Sequence, residues 1–139
     1  MAILVLDASV IIKWFKQEIY TEIATKIKDD FVNGIHEIVV PDLILYEITN
    51  GMRYDKKFDA NLIKESLDNL LKMEIDIVIP SKDLISRAIE ISYSSNVTIY
   101  DAIYIALAEL NDAIFITADE TLYKKSKRMK FVKFISEVK

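Results

Sequence analysis

Apolar positions along the chain fall into two alternating kinds of run, short continuous ones and longer ones with helical spacing. Residues 2–6, AILVL, are continuous, which predicts a strand buried on both faces and therefore a parallel sheet. Asp7 closes that strand. Residues 8 to about 15 and Thr21 to Val32 show helical spacing, with Ile23, Ile27 and Phe31 on one face of the second helix and Asn33-Gly34 ending it. EIVV before Pro41 reads as the second strand. Pro41-Asp42 then opens a helix to about Arg53, with Asp42 as its expected cap and Glu47 in its second turn.

A further helix is expected from about Asp59 to Lys72, carrying Leu62, Leu67, Leu70 and Leu71. IDIVI before Pro80 is a short strand, and Ser81 can cap a helix running to about Ser94. Helical spacing resumes from Thr98 to about Leu110. AIFIT follows as a buried strand, then a short basic helix near 119–128, then FVKFI as the last strand. Strands alternating with helices predict an α/β fold, three layers deep (α/β/α) around a mostly parallel central sheet. At 139 residues, residues 1–139 are expected to form a single domain around one core.

Against this pattern a few acids are out of place. Asp101 interrupts the apolar run TIYDAIYIALAE, and burying an ionised side chain costs several kcal/mol unless something pairs with it. In parallel α/β sheets, the carboxyl ends of strands and the N-termini of the following helices share one edge. Asp7 ends the first strand, and Glu47 begins the descent after the second. The helix from Thr98 travels roughly 18 to 20 Å, and the strand after it returns roughly 17 Å, which brings Asp119 back beside Asp101. Four carboxylates gathered at one edge repel by roughly 4 kcal/mol per close pair, so protons or cations must enter. An all-oxygen set lacking His and Cys suits Mg²⁺ or Mn²⁺ rather than zinc. Such an ion can activate water and neutralise charge on a phosphate, which points to phosphodiester hydrolysis.

Each acid also has a purely structural reading. Asp7 and Asp119 suit helix N-caps, and Thr98-Ile99-Tyr100-Asp101 matches a capping box. Glu47 lies in LILYEI, where no cap is available, so its structural alternative is a buried ion pair with Arg53 or a distant Lys. Ser9, Asn50 and Thr117 are candidates for hydrogen bonds that orient the carboxylates, Asn50 being one turn from Glu47. Lone caps or turn residues are the commoner use of such side chains.

Charge and composition narrow the field. Lys and Arg number 18 against 22 Asp and Glu, a formal charge of −4, so nucleic acid is not held here by bulk positive charge. The one basic cluster, YKKSKRMK, places Lys124, Lys125, Lys127 and Arg128 just after Asp119, where they either line a solvated helix face or touch an RNA backbone. His36, the lone His, reads as a strand-edge residue, leaving His-dependent catalysis unsupported. Trp14 and Phe15 read as packing residues. Asp7 and Lys13 break the apolar N-terminus, which does not read as a signal peptide, and the run around Asp101 is too short to span a bilayer. With no Cys in the chain, a soluble cytoplasmic protein is the expectation.

LDASV around Asp7, PDLILYEITN with Glu47 and Asn50, TIYDAIYIALA with Asp101 and FITADETL with Thr117 and Asp119 form an ordered set spanning almost the whole chain. In that set the sequence resembles the PIN-domain family of metal-dependent ribonucleases, and within it the VapC-like toxins of toxin–antitoxin pairs. The resemblance implies an endoribonuclease that cleaves RNA with a metal-activated water, Asp7, Glu47, Asp101 and Asp119 being the Mg²⁺ or Mn²⁺ ligands. Ser9, Asn50 and Thr117 would position ligands or water. It also implies a homodimer and a cognate antitoxin that inserts a segment into the active-site groove. No acid of the pattern is missing; Glu120 is an extra one without a role. A haloacid-dehalogenase-like phosphatase would want Asp where Ser9 stands, and a receiver domain would want an acidic pair before its Asp. The remaining alternative is a PIN-like module that binds RNA or protein without cutting.

Overall fold

The computed structural model describes residues 1–138. Five parallel strands form one sheet: β1 (Ala2–Leu6), β2 (His36–Pro41), β3 (Asp76–Val78), β4 (Ile114–Thr117) and β5 (Val132–Phe134), in the order β3-β2-β1-β4-β5. The strand connections are helical: α1 (Ala8–Ile11) with a 3-10 turn at Ile12–Trp14 and α2 (Thr21–Val32), then α3 (Leu43–Arg53) and α4 (Ala60–Lys72). After β3 come α5 (Lys82–Ser95) and α6 (Ile99–Leu110), and α7 (Glu120–Ser126) joins β4 to β5. A 3-10 turn at Ile135–Glu137 ends the described chain. This is the three-layer α/β arrangement that strand–helix alternation predicts.

The order of the strands sets the site. β1 lies at the centre of the sheet between β2 and β4, with Leu6 in register with Ile116. Because all five strands run the same way, the ends of β1 and β4 open on one edge, and Asp7 and Thr117 emerge there side by side. Below that edge the core is continuous: Val5, Leu6, Ile38, Val40, Phe115 and Ile116 from the strands meet Ile44, Ile48, Ile103, Ile105 and Leu107 from the helices. Every residue of α6 from Ala102 to Ala108 is buried, so this helix is embedded against the sheet and its first turn is held rigidly at the edge.

Local sequence explains most boundaries. Thr98, Ser81 and Asp59 each cap a helix by accepting the backbone N–H three residues on, at 3.0, 3.1 and 2.8 Å. Gly34 turns the chain after α2 at φ 75, a conformation that a Cβ would strain. Other expectations fail. Asp42 does not cap α3: its backbone is already helical, at φ −61 and ψ −18, and no side-chain cap bond forms. The helix expected over residues 8 to 15 relaxes after Ile11 into a 3-10 turn, and Trp14 packs by donating its indole N–H to Ala24 O at 2.8 Å. Of the α4 leucines, Leu70 is in the core while Leu62 and Leu71 are exposed. His36 is buried at the start of β2, an interior strand rather than an edge, and among the described residues neither ring nitrogen has a hydrogen-bond partner. Among the described residues no helix is long and apolar enough to cross a membrane.

Candidate active site

Asp7 is the anchor of the site, 6% exposed at the C-terminal end of β1. Two hydroxyls fix its carboxylate. Ser9 Oγ donates to Oδ1 and Thr117 Oγ1 donates to Oδ2 at 2.6 Å. Each hydroxyl in turn accepts a backbone N–H from the turn between β4 and α7: Ala118 N–H to Ser9 at 2.8 Å, Asp119 N–H to Thr117 at 3.1 Å. Backbone dipoles are thus relayed through single protons to both oxygens, an arrangement that holds the carboxylate in one orientation. Ser9 N–H also donates to Oδ1 at 3.1 Å, so Asp7 caps α1 as well.

These bonds do not offset burial. Loss of solvent around Asp7 pushes its pKa from 3.8 up to about 7; the Ser9 and Thr117 bonds oppose the rise, and the charges of Asp101 and Asp119 add to it. Glu47 on α3 and Asp101 in the first turn of α6 are half-buried and shifted the same way, each mainly by burial. Asp101 adds to the rise at Glu47, and Asp119 to that at Asp101, where Thr98 and Lys125 oppose it. Asp101 is thus the acid whose charge reaches both Asp7 and Glu47. Asp119 is exposed and also caps α7, accepting Leu122 N–H at 3.1 Å.

The charge of Lys125 acts on Asp101 without forming an ion pair with it. Among the described residues no salt bridge reaches Asp7, Glu47, Asp101 or Asp119, so the expected alternative of an ion pair between Glu47 and Arg53 does not form. Glu47 instead accepts the phenolic O–H of Tyr104 at 2.6 Å. Nor do the acids form a ready-made cage: among the described residues no three His, Cys, Asp or Glu side chains stand close enough together to hold an ion as they are. An oxygen-only set without an ion pair among the described residues, its buried member Asp7 still partly protonated near neutrality, nonetheless fits a hard divalent cation, which would displace that proton.

The remaining predicted residues divide. Asn50 is exposed on α3 and bonds none of the acids among the described residues; with Glu47, Tyr46, Arg53, Phe58 and Ile63 it lines a groove of about 930 Å³ between α3 and α4. Lys125 stands with Asp101, Asp119 and Thr121 around a smaller crevice of about 290 Å³, so it is the member of the basic cluster that faces the acids. Arg128 is committed elsewhere, donating to Ser94 O at 2.9 Å and Ser95 Oγ at 3.2 Å at the end of α5. Lys124 and Lys127 are exposed. Glu120 opens α7, where a carboxylate suits the helix dipole. Two features went unread in the sequence: the groove, and Tyr104. Tyr104 had a signal, being one helical turn from Asp101 and carrying a hydroxyl into an otherwise apolar run.

The family model of the PIN domain matches residues 4–128. The chain belongs to the PIN domain family. Solved structures agree on the fold. One similar structure is PAE2754 from Pyrobaculum aerophilum, 16% identical with a TM-score of 0.69, the match covering 98% of this chain and 91% of that one. Another is a toxin–antitoxin complex from Klebsiella pneumoniae, 18% identical with a TM-score of 0.66 over 95% and 97% of the two chains. A third is VapBC2 from Rickettsia felis bound to a DNA fragment from their promoter, 17% identical with a TM-score of 0.67 over 95% and 96%. No curated protein matches the sequence. At these identities the structural likeness speaks for the fold, and this PIN domain's activity rests on its own residues.

Proposed function

We propose that this PIN domain is a metal-dependent endoribonuclease, the toxin of a toxin–antitoxin pair. The observation that carries the reading is Asp7: a carboxylate that its own fold has buried, oriented through both oxygens and left without an ion pair among the described residues, in the field of Asp101 and Asp119. Its cap on α1 aside, a buried carboxylate without an ion pair costs the fold stability, whereas a site for Mg²⁺ or Mn²⁺ makes use of one. Asp7, Glu47, Asp101 and Asp119 would hold the ion. When bound, it supplies a nucleophile at neutral pH and neutralises charge on the phosphate in flight.

The chain's own groups do the rest. Ser9 and Thr117 keep the Asp7 carboxylate turned toward the edge, and their relayed N–H groups hold the β4–α7 turn in place beneath it. Lys125, at the rim of the Asp101–Asp119 crevice, offers an ammonium to an RNA phosphate. Among the described residues the side chains around the site offer no His to move protons; the carboxylates are the available acceptors, and burial raises the pKa values of Glu47 and Asp101 above their ordinary ones.

The toxin half of the reading draws on the two similar structures described as VapBC or toxin–antitoxin complexes. The groove between α3 and α4 shares Glu47 with the acid site, and an antitoxin segment lying there would reach the acids directly. Homodimerisation belongs to the same reading; Ile85, Ile89 and Tyr93, spaced at four residues, expose an apolar stripe on α5 that a second copy could cover.

Cleavage decides the matter. Purified protein with Mn²⁺ is expected to cut single-stranded RNA internally, and Asp7→Asn to bind the same RNA without cutting it. RNA left intact by the wild type, and bound equally well by wild type and Asp7→Asn, contradicts the nuclease reading and favours a PIN module that only binds.

A further inference from the structure

Tyr104 lies three residues after Asp101 on α6, with its side chain 1% exposed and its hydroxyl donating to Glu47 Oε1 at 2.6 Å across 57 positions of sequence. The ring is clamped from below. It stacks on Phe115 of β4 at 6.2 Å between centroids and 23° between planes, and Phe115 is itself fully buried. A phenol placed this way has no rotamer freedom left to lose, so its proton is presented to Glu47 at a fixed point. It also links three elements of the site, α6 that carries Asp101, α3 that carries Glu47, and β4 that leads to Thr117.

Glu47 needs such a link more than the other acids do. Asp7 is held by Ser9 and Thr117, and Asp101 and Asp119 sit in first turns or caps where the backbone is fixed. Glu47 stands mid-helix on a longer side chain, and among the described residues Tyr104 is its one hydrogen-bond partner. With Oε1 held by the phenol, Oε2 is the Glu47 oxygen that no hydrogen bond engages among the described residues.

We infer that Tyr104 is the positioning residue of Glu47: it locks the carboxylate so that a single oxygen faces the metal, and thereby sets metal affinity. This rests on the nuclease reading for the identity of the ligand and adds a residue that touches neither metal nor RNA. Partners of this kind commonly change metal affinity about 10- to 100-fold when removed.

The test is Tyr104→Phe, which deletes the hydroxyl and keeps the ring on Phe115. Mn²⁺ affinity is measured by calorimetry on wild type, Tyr104→Phe, Glu47→Gln and the double variant, alongside thermal unfolding in EDTA and RNA cleavage over a range of Mn²⁺ concentrations. Tyr104→Phe is expected to weaken Mn²⁺ binding about tenfold or more, to leave the metal-free protein folded, and to recover cleavage at saturating Mn²⁺. In the Glu47→Gln background the same change is expected to have no further effect on affinity. Unchanged affinity in Tyr104→Phe while Glu47→Gln weakens binding overturns the inference and leaves the nuclease reading standing. An equal loss in both backgrounds also overturns it, since the phenol would then act without Glu47. A wild type that binds no Mn²⁺ overturns the nuclease reading and the inference with it.

Discussion

Replacing Asp7 by Asn has a predicted consequence opposite to that of most buried-residue changes: above neutrality and without metal it stabilises the protein. The Asp7 pKa rises from 3.8 to about 7 on folding. A carboxyl raised in the folded state binds more protons there than in the unfolded chain, so stability falls as pH rises through that window. At about 1.4 kcal/mol per pH unit, the ionised group costs the metal-free fold about 4 kcal/mol above pH 7. Asn removes that cost but has one acceptor oxygen where Asp7 uses two. Its amide N–H₂ must face Ser9 or Thr117, whose hydroxyls already accept Ala118 N–H and Asp119 N–H. Losing one such bond costs about 1–2 kcal/mol, leaving a net gain of about 2 kcal/mol.

Urea unfolding in EDTA reads this directly, and the two curves of stability against pH are expected to cross. Near pH 4, where Asp7 is protonated in the folded state, Asp7→Asn is equal to or less stable than the wild type; near pH 8 it is more stable by about 2 kcal/mol. Saturating Mn²⁺ is expected to reverse the order at high pH, because an ion bound only to the folded wild type stabilises it by mass action. The reasoning is refuted if Asp7→Asn is less stable than the wild type by the same amount at every pH, which would make Asp7 an ordinary helix cap.

Other changes separate structural from functional roles. His36 is buried without partners for its nitrogens among the described residues, and burial holds its pKa below 6.5, with the charge of nearby Asp30 opposing. Its contribution is therefore complete above the unfolded value and lost as pH falls below it, so His36→Leu is expected to lessen the drop in urea midpoint between about pH 7 and pH 5. Lys125→Ala is expected to raise KM for RNA severalfold and reduce the salt slope of binding by about one, with kcat nearly unchanged. Arg128→Ala is expected instead to lower stability by about 1 kcal/mol through loss of its bonds to Ser94 and Ser95, leaving RNA affinity much less affected. Ser81→Ala, which removes the α5 cap, is expected to cost about 1 kcal/mol in thermal or urea unfolding with Mn²⁺ affinity unaltered.

What could be read from the sequence, and what could not, follows the range of the interactions. AILVL, the cap at Ser81 and the capping box at Thr98 are local signals, and their elements stand where expected. Asp42 is the right residue type in the right place, but cap formation depends on backbone angles set by the approach from β2, and Asp42 N–H is drawn to Val78 O at 2.9 Å. Asp101 and Asp119 could be placed together because helix rise and strand rise are fixed numbers. Tyr104 and Glu47 could not, since their meeting depends on how α3 and α6 lean over the sheet edge. The basic cluster shows the same limit: composition marks Lys125 and Arg128 alike, and only packing turns one toward the acids and the other onto the end of α5.

The most direct test is a crystal of the wild-type protein soaked in Mn²⁺, with anomalous scattering used to locate the ion. The account predicts a peak at the carboxyl edge of β1 and β4, within about 2.0–2.4 Å of carboxylate oxygens from Asp7 and Asp101, with Tyr104 still bonded to Glu47. A fully occupied ion elsewhere on the surface, or Asp7 and Asp101 carboxylates still too far apart to share one ion, would contradict it.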